Sequence, residues 1–159
     1  MKPKKRHQIM ESFEVRRELT DLLSASMEDY IESIFIEQEK KGYARTNEVA
    51  EKLNVQIPSA TKMIKKLASL NLLKHEKYGV VCLTEKGMKI GTFLWERHQI
   101  VETFLKSLGI KKDLYQFTEA MEHSVNEEIL INIEVLNNFF KYYPKYKREL
   151  DNFKKDYIL

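Results

Sequence analysis

The order of apolar patterns between residues 26 and 83 is the feature that most restricts how this chain can fold. In residues 26–40 the apolar side chains recur at helical spacing, which predicts an amphipathic helix with a stripe of Met27, Tyr30, Ile31, Ile34 and Phe35. Gly42 interrupts that pattern. Thr46 can then cap a short helix, NEVAEKLN.

A second helix and a hairpin follow in the same stretch. Pro58 suits the first turn of the helix PSATKMIKKLASL, whose apolar stripe is Ala60, Met63, Ile64, Leu67 and Leu70. The β-prone VVCL comes after a Tyr78-Gly79 turn signal, and Leu72 and Leu73 precede it, which predicts a two-stranded hairpin. We therefore expect a mainly α protein with an N-terminal winged helix-turn-helix of three helices and a two-stranded wing.

Positive charge supports a nucleic-acid partner for this region. The net charge is +3, but lysine and arginine concentrate in residues 2–6 and 58–79, as in an electrostatic footprint for DNA. A winged helix-turn-helix places its second helix in the major groove and its wing beside it. An amphipathic helix with a lysine-rich solvent face is the alternative. The predicted DNA-contacting residues are Arg45, Thr46, Ser59, Thr61, Lys62, Lys65, Lys66, Lys77 and Tyr78.

The remaining residues predict a second, all-helical lobe. Residues 86–108 read as one long helix that Gly109 ends. Ser124 and Glu127 form a capping-box pattern before a helix whose apolar residues are Ile129, Leu130, Ile133, Leu136, Phe139 and Phe140. This amount of apolar surface on a short lobe favours a homodimer over a monomeric core. The expected division is an N-terminal extension (1–25), a DNA-binding domain (26–87) and a metal-binding and dimerisation domain (88–159).

Composition removes several other classes of protein. No apolar run approaches the roughly 20 residues that span a bilayer, and the charged N-terminus lacks a signal core, so a cytoplasmic protein without a membrane partner is expected. Cys82 is the only cysteine, which rules out an internal disulfide and a Cys-x-x-Cys site. Any metal must therefore use oxygen and nitrogen ligands.

The stretch EAMEHS places Glu119, Glu122 and His123 at positions i, i+3 and i+4, on one face of a helix. Two carboxylates and an imidazole suit a divalent cation, although a solvated acidic face has the same pattern. On the first helix, Asp29 and Glu32 lie opposite the apolar stripe and so should point away from the winged-helix core.

Six segments together resemble one family in order and spacing: SMEDYIESI, KGYARTNEVAEKL, PSATKMIKKL, LTEKG, ERHQIVETFL and EAMEHSV. The family is the diphtheria-toxin-repressor family of metalloregulators, and the resemblance is greatest to its manganese transport regulator branch. It implies metal ligands on the first helix, the long helix and the EAMEHS helix, at Asp29, Glu32, His98, Glu119, Glu122 and His123.

The ligand types bear on the metal. Iron-responsive members of the family have sulfur-containing residues where this chain has Asp29 and Glu119, so the resemblance implies a manganese-type site. Carboxylate and imidazole ligands also suit Mn²⁺, and six of them favour two ions per subunit, with Fe²⁺, Zn²⁺, Cd²⁺ or Co²⁺ as candidate substitutes. Glu102 is an additional candidate ligand, although a surface acid is its expected role.

The resemblance implies a dimeric, Mn²⁺-activated repressor of metal-uptake genes, such as manganese transporter genes, that binds an approximately palindromic operator on double-stranded DNA. Alternatives are an iron-responsive member of the same family and a winged-helix regulator that senses an organic ligand; we expect no small organic substrate. A di-metal enzyme or storage protein would need Glu-x-x-His on two helices, a pattern this chain lacks. The N-terminal extension would be a DNA-contacting arm, a dimer brace or a disordered tail.

Overall fold

The computed structural model describes residues 23–158, and most of these are helical. This part of the chain divides into two compact units between Trp95 and Glu96, within one continuous helix. The predictions for the N-terminal extension concern residues that lie almost entirely outside the described range. In the described residues, no helix combines the length and the apolar character that crossing a membrane requires.

The first unit contains three helices, a small sheet and the start of a fourth helix. Ser24 caps the first helix with its side-chain oxygen, which accepts a hydrogen bond from the Met27 amide, and Gly42 ends it in a left-handed conformation. The elements in order are α1 (Ala25–Lys41), β1 (Ala44–Arg45), α2 (Thr46–Lys52), α3 (Ile57–Ser69), β2 (Leu73–His75), β3 (Val80–Leu83) and α4 (Glu85–Ser107).

The winged helix-turn-helix prediction is confirmed, with one correction to the wing. Strands β2 and β3 form the expected antiparallel hairpin, with Leu73 opposite Leu83. The sheet has a third strand, because β1 pairs with the other edge of β3 and gives the order β1-β3-β2. The sequence did not predict β1, since two residues are too few to show an alternating pattern.

Apolar side chains from all three helices and the wing form the core of the first unit. The predicted stripe of α1 is buried, as are Ala60, Ile64 and Leu67 of α3, whereas Met63 and Leu70 of the predicted α3 stripe are only half-buried. Strand β3 adds alternate residues, and β2 adds Leu73. The side chains at or below 1% exposure include Met27, Ile31, Ile34, Val49, Ala50, Ala60, Ile64, Leu67, Leu72 and Val81. The packing therefore leaves the polar face of α3 in solvent.

The wing is joined to α4 by the LTEKG segment. The Thr84 hydroxyl donates to the Asn71 carbonyl at 2.8 Å and accepts from the Gly87 amide at 3.1 Å. Gly87 lies so close to the segment that joins α3 to β2 that an added Cβ would be 1.9 Å from the Leu72 carbonyl oxygen. Only glycine fits this position, because the obstructing atom belongs to the backbone.

The second unit contains the end of α4 and three further helices: α5 (Leu114–Glu122), α6 (Glu127–Tyr142) and α7 (Pro144–Ile158). Gly109, with a φ of 82°, follows α4 as predicted. The capping-box prediction is wrong: the N-cap of α6 is Asn126, whose side chain accepts from the Ile129 amide at 2.9 Å. Ser124 instead donates to the Ala120 carbonyl at 3.5 Å, within the turn that ends α5.

Candidate metal centre and DNA-binding surface

Three candidate ligand atoms converge inside the second unit. Nδ1 of His98, on α4, lies 2.9 Å from Oε2 of Glu122 and 3.3 Å from Oε1 of Glu119. The two glutamates are one helical turn apart on α5 and so present their carboxylates on the same side. The structure therefore brings together three of the six predicted ligands within one unit.

Burial makes this cluster electrostatically unusual. Glu122 is 0% exposed and His98 only 9%, whereas charged groups are seldom buried without a partner. Ionised carboxylate oxygens only accept hydrogen bonds, so hydrogen bonding to both glutamates requires a proton on Nδ1 of His98. The hydrogen bond from His98 holds the pKa of Glu119 below its usual range, against an opposing effect of partial burial.

Arg97 is a member of this cluster that the sequence analysis missed. Its side chain is 1% exposed, and Nη2 lies 3.5 Å from Oε1 of Glu122. This distance is long for a hydrogen bond but lies within an ion pair. The only sequence signal is an arginine directly before His98 in a helix that is buried on that side.

His123 and Glu102 have different surroundings. His123 is the C-cap of α5, and a ligand atom of its half-buried ring lies within 4.8 Å of one from Glu119. Glu102 forms a salt bridge with Lys106 at 2.7 Å, one turn along α4. This pairing is typical of the surface acid expected at Glu102.

Asp29 and Glu32 belong to the first unit, on α1. Both side chains are half-buried and lie away from the fully buried stripe that contains Ile31 and Ile34. Their predicted position on the helix therefore agrees with the burial pattern of α1. Their role as metal ligands stays a prediction.

The donor set of the second unit fits a hard divalent cation. It consists of carboxylate oxygens and imidazole nitrogens, and Cys82, the only thiol, lies in β3 of the other unit. Such donors suit Mn²⁺ and related ions that accept oxygen and nitrogen ligands.

Helix α3 exposes most of its predicted DNA-contacting residues. Ser59, Lys62, Lys65 and Lys66 are exposed, opposite the buried Ile64. Hydroxyl and ammonium groups of this kind suit phosphates and base edges. Thr61 is half-buried, and its hydroxyl donates to the Ile57 carbonyl at 2.9 Å.

Of the predicted DNA-contacting residues near the wing, some are exposed and others are hydrogen-bonded or partly buried within the unit. Tyr78 is 91% exposed and has a φ of 63°, a left-handed conformation that is uncommon for a bulky residue. Thr46 is 8% exposed, and its hydroxyl donates to the Gly79 carbonyl at 3.2 Å, which ties α2 to the wing tip. Arg45 is half-buried in β1. The Lys77 side chain lies outside the described part of the molecule.

A winged helix-turn-helix in the same chain as a unit with a buried carboxylate and imidazole cluster defines a class, the metal-dependent DNA-binding regulators. Family comparison agrees. Residues 22–81 match the iron dependent repressor N-terminal DNA binding domain, and residues 84–151 match the iron dependent repressor metal binding and dimerisation domain. The chain belongs to the iron-dependent repressor family and has both its DNA-binding and its dimerisation domain. The predicted resemblance to this group of metalloregulators is confirmed.

Individual relatives point in the same direction. The chain is 39% identical over 135 residues to the HTH-type transcriptional regulator MntR of Bacillus velezensis, an alignment that covers 84% of this chain and 95% of the relative. A solved structure described as a manganese-dependent transcriptional repressor complex with manganese superposes with a TM-score of 0.65 at 31% identity, covering 71% of this chain and 53% of the other. ScaR with bound Zn²⁺ superposes with a TM-score of 0.60 at 27% identity, covering 71% and 54%. The chain spans about half the length of these solved structures.

Proposed function

We propose that this protein is a cytoplasmic, Mn²⁺-responsive transcriptional repressor of metal-uptake genes, manganese transporter genes in particular. The observation that carries the proposal is the buried convergence of His98, Glu119 and Glu122 in a chain whose other unit is a winged helix-turn-helix. Relatives named MntR support manganese as the metal, as does the lack of a sulfur ligand among the six candidates.

Six residues would hold the metal in this proposal. Glu119, Glu122, His98 and His123 would supply ligands from the second unit, and Asp29 and Glu32 would supply them from α1 of the first unit. Bound Mn²⁺ would supply the positive charge that four carboxylates require, and we favour two ions per subunit. Carboxylate and imidazole ligands bind a metal in their deprotonated forms, so affinity should fall as the pH falls.

The residues themselves explain why metal would control DNA binding. Without a cation, four carboxylates gathered in one site would repel one another, so no electrostatic force would favour the arrangement of the two units that brings them together. Ligands donated by both units would select one arrangement from many. DNA binding to metal-loaded protein would then not include the entropic cost of ordering the two units. Couplings of this kind typically change affinity 5- to 150-fold.

The second unit supplies the dimer. Its surface exposes many large aromatic side chains, among them Phe117, Tyr142, Tyr143, Phe153 and Tyr157. A twofold dimer would present two α3 helices to DNA, which predicts an approximately palindromic operator with half-sites on one face of the duplex.

The test is DNA binding to a palindromic site from a manganese transporter promoter, titrated separately with Mn²⁺, Fe²⁺ and Zn²⁺. We expect Mn²⁺ to tighten binding of the wild type, and Glu119→Ala and His123→Ala each to remove that response. Glu128→Ala is the matched control, because it removes an exposed carboxylate from the same unit.

Each alternative predicts a different result in this assay. A response to Fe²⁺ but not to Mn²⁺ would identify an iron-responsive regulator. DNA binding that no metal changes, or full Mn²⁺ activation of both ligand variants, would contradict the metal-sensing proposal and favour a regulator that senses an organic ligand.

A further inference from the structure

Glu122 is held by two cationic or proton-donating side chains of its own unit. Its carboxylate is fully buried, with Oε1 3.5 Å from Nη2 of Arg97 and Oε2 2.9 Å from Nδ1 of His98. Arg97 and His98 are consecutive on α4, so one short segment of helix contacts both carboxylate oxygens. The two oxygens are therefore not equivalent.

The Arg97 guanidinium is itself 1% exposed, which requires a physical reason. Transferring a guanidinium from water to the protein interior costs several kcal/mol. The attraction of a nearby carboxylate offsets this cost only when the carboxylate is well placed. Arginine differs from lysine because its donors are fixed in one plane. Here Nη2 faces Oε1 of Glu122 while Nδ1 of His98 faces Oε2, so the two oxygens have different partners. Arg97 therefore restricts the orientation that the Glu122 carboxylate can adopt.

We propose that Arg97 is a positioning residue of the metal centre: it occupies Oε1 of Glu122 and leaves Oε2 as the single oxygen that this residue offers to a metal. The inference rests on the proposed function, since it concerns the same site. The Oε2 atom is the one that faces His98 Nδ1, and Nδ1 in turn faces Oε1 of Glu119. Side chains that orient a ligand in this way commonly raise metal affinity about 10- to 100-fold.

A simple charge effect would have the opposite sign. A fixed positive charge next to a cation site weakens cation binding, so removing the charge alone would tighten it. The direction of the change in Mn²⁺ affinity therefore separates positioning from plain repulsion.

The experiment is a Mn²⁺ titration of the full-length protein followed by electron paramagnetic resonance, in which the six-line signal of free Mn²⁺ is lost on binding. We expect Arg97→Gln to bind Mn²⁺ about 10- to 100-fold more weakly than the wild type, and Arg97→Lys to lie between them. Co²⁺ absorption of each variant, which reports ligand number, should change for Arg97→Gln.

Asn137→Ala is the matched control for structural damage. The Asn137 amide donates to the Ile100 carbonyl of α4 at 2.9 Å, so its loss disturbs the same unit through a residue that is not a candidate metal ligand. This variant should lose thermal stability but keep the wild-type Mn²⁺ affinity and Co²⁺ spectrum. If Arg97→Gln does not fold, Arg97→Lys and Asn137→Ala still provide the comparison.

Two results would overturn the inference. Mn²⁺ affinity in a folded Arg97 variant that equals or exceeds the wild-type value would exclude positioning, while leaving the metal-sensing proposal intact. A wild-type protein that binds no Mn²⁺ would instead contradict the proposed function itself, and the two failures are distinguished by the wild-type titration alone.

Discussion

The two units of this molecule distribute apolar and charged side chains in nearly opposite ways. The first unit buries apolar residues from every element, Phe93 and Leu94 among them, and exposes lysines on α3. The second unit buries Arg97 and Glu122, while it contains eleven of the fifteen large hydrophobic side chains that are exposed in the described residues. The first unit is thus stabilised by its own apolar packing, whereas the second buries charged groups and leaves much of its apolar surface exposed.

The largest expected effect comes from a substitution that disrupts the packing of the first unit. Gly87→Ala would place a Cβ against the Leu72 carbonyl, which belongs to the backbone and cannot move without disturbing the wing. We expect the free energy of unfolding to fall by about 3 kcal/mol, the upper end of overpacking costs. Denaturant unfolding followed by circular dichroism measures it.

The neighbouring variant Lys86→Ala is the control for Gly87→Ala, since it alters the same turn of α4 at a half-buried position without entering the wing. A Gly87→Ala protein as stable as Lys86→Ala would show that the close approach of Gly87 to Leu72 is not required.

The second prediction concerns the outer surface of the second unit. Phe139, Tyr143 and Tyr146 form an aromatic group with ring centroids 5.2–6.3 Å apart, and all three are at least 40% exposed. If this group lies at the dimer interface, Phe139→Asp should cost at least about 2 kcal/mol of association, or roughly a 30-fold rise in dimer dissociation constant. Analytical ultracentrifugation measures it.

Asn138→Asp introduces the same charge one residue along α6 and should leave the dimer unchanged. Equal dimer affinity of the Phe139→Asp and Asn138→Asp proteins would place the interface elsewhere on the unit.

The third prediction tests whether the exposed lysines of α3 meet phosphates. Lys62→Ala or Lys65→Ala should each weaken DNA binding and reduce the slope of log K against log salt by about 0.9, the change for one lost phosphate contact. Lys89→Ala removes the same charge from α4, where Lys89 pairs with Glu85 at 3.4 Å, and should keep the full slope. Identical slopes for all three variants would contradict a direct role for α3.

The smallest expected effect concerns a surface pair in the first unit. The Lys41 ammonium donates to Glu48 at 2.6 Å, and this hydrogen bond holds the pKa of Glu48 below its usual range. A depressed carboxyl pKa stabilises the fold above the unfolded pKa, and this contribution disappears as the pH falls through the folded pKa. Glu48→Gln should therefore slightly lower the melting temperature at neutral pH but not in acid.

Both residues of that pair are solvent-exposed, so the change should be small. A Glu48→Gln protein that loses as much stability in acid as at neutral pH would assign the effect to the capping contact between Glu48 and the Arg45 amide instead of to charge.

Periodic patterns predicted most of the fold, because α1, α3 and α4 bury regular stripes and Gly42 and Gly109 mark true helix ends. Features that depend on pairing between distant segments were missed. Strand β1 exists only because β3 lies beside it.

The candidate site divides in the same way. The i, i+3, i+4 spacing on α5 was visible in the sequence, and the resemblance added His98. Arg97 was missed because its burial depends on how α5 packs against α4, which a local pattern does not contain.

The hydrogen bonds of Thr84 have a consequence for protein engineering. The Thr84 hydroxyl is hydrogen-bonded both to the turn that follows α3 and to the first turn of α4. These two bonds fix the start of the long helix to the winged-helix domain. A chimera that exchanges sensor domains at residue 84 would lose these two hydrogen bonds. A fusion point inside α4 near Trp95, where the compact units divide, would keep the DNA-binding unit complete, so that it can be joined to another sensor domain.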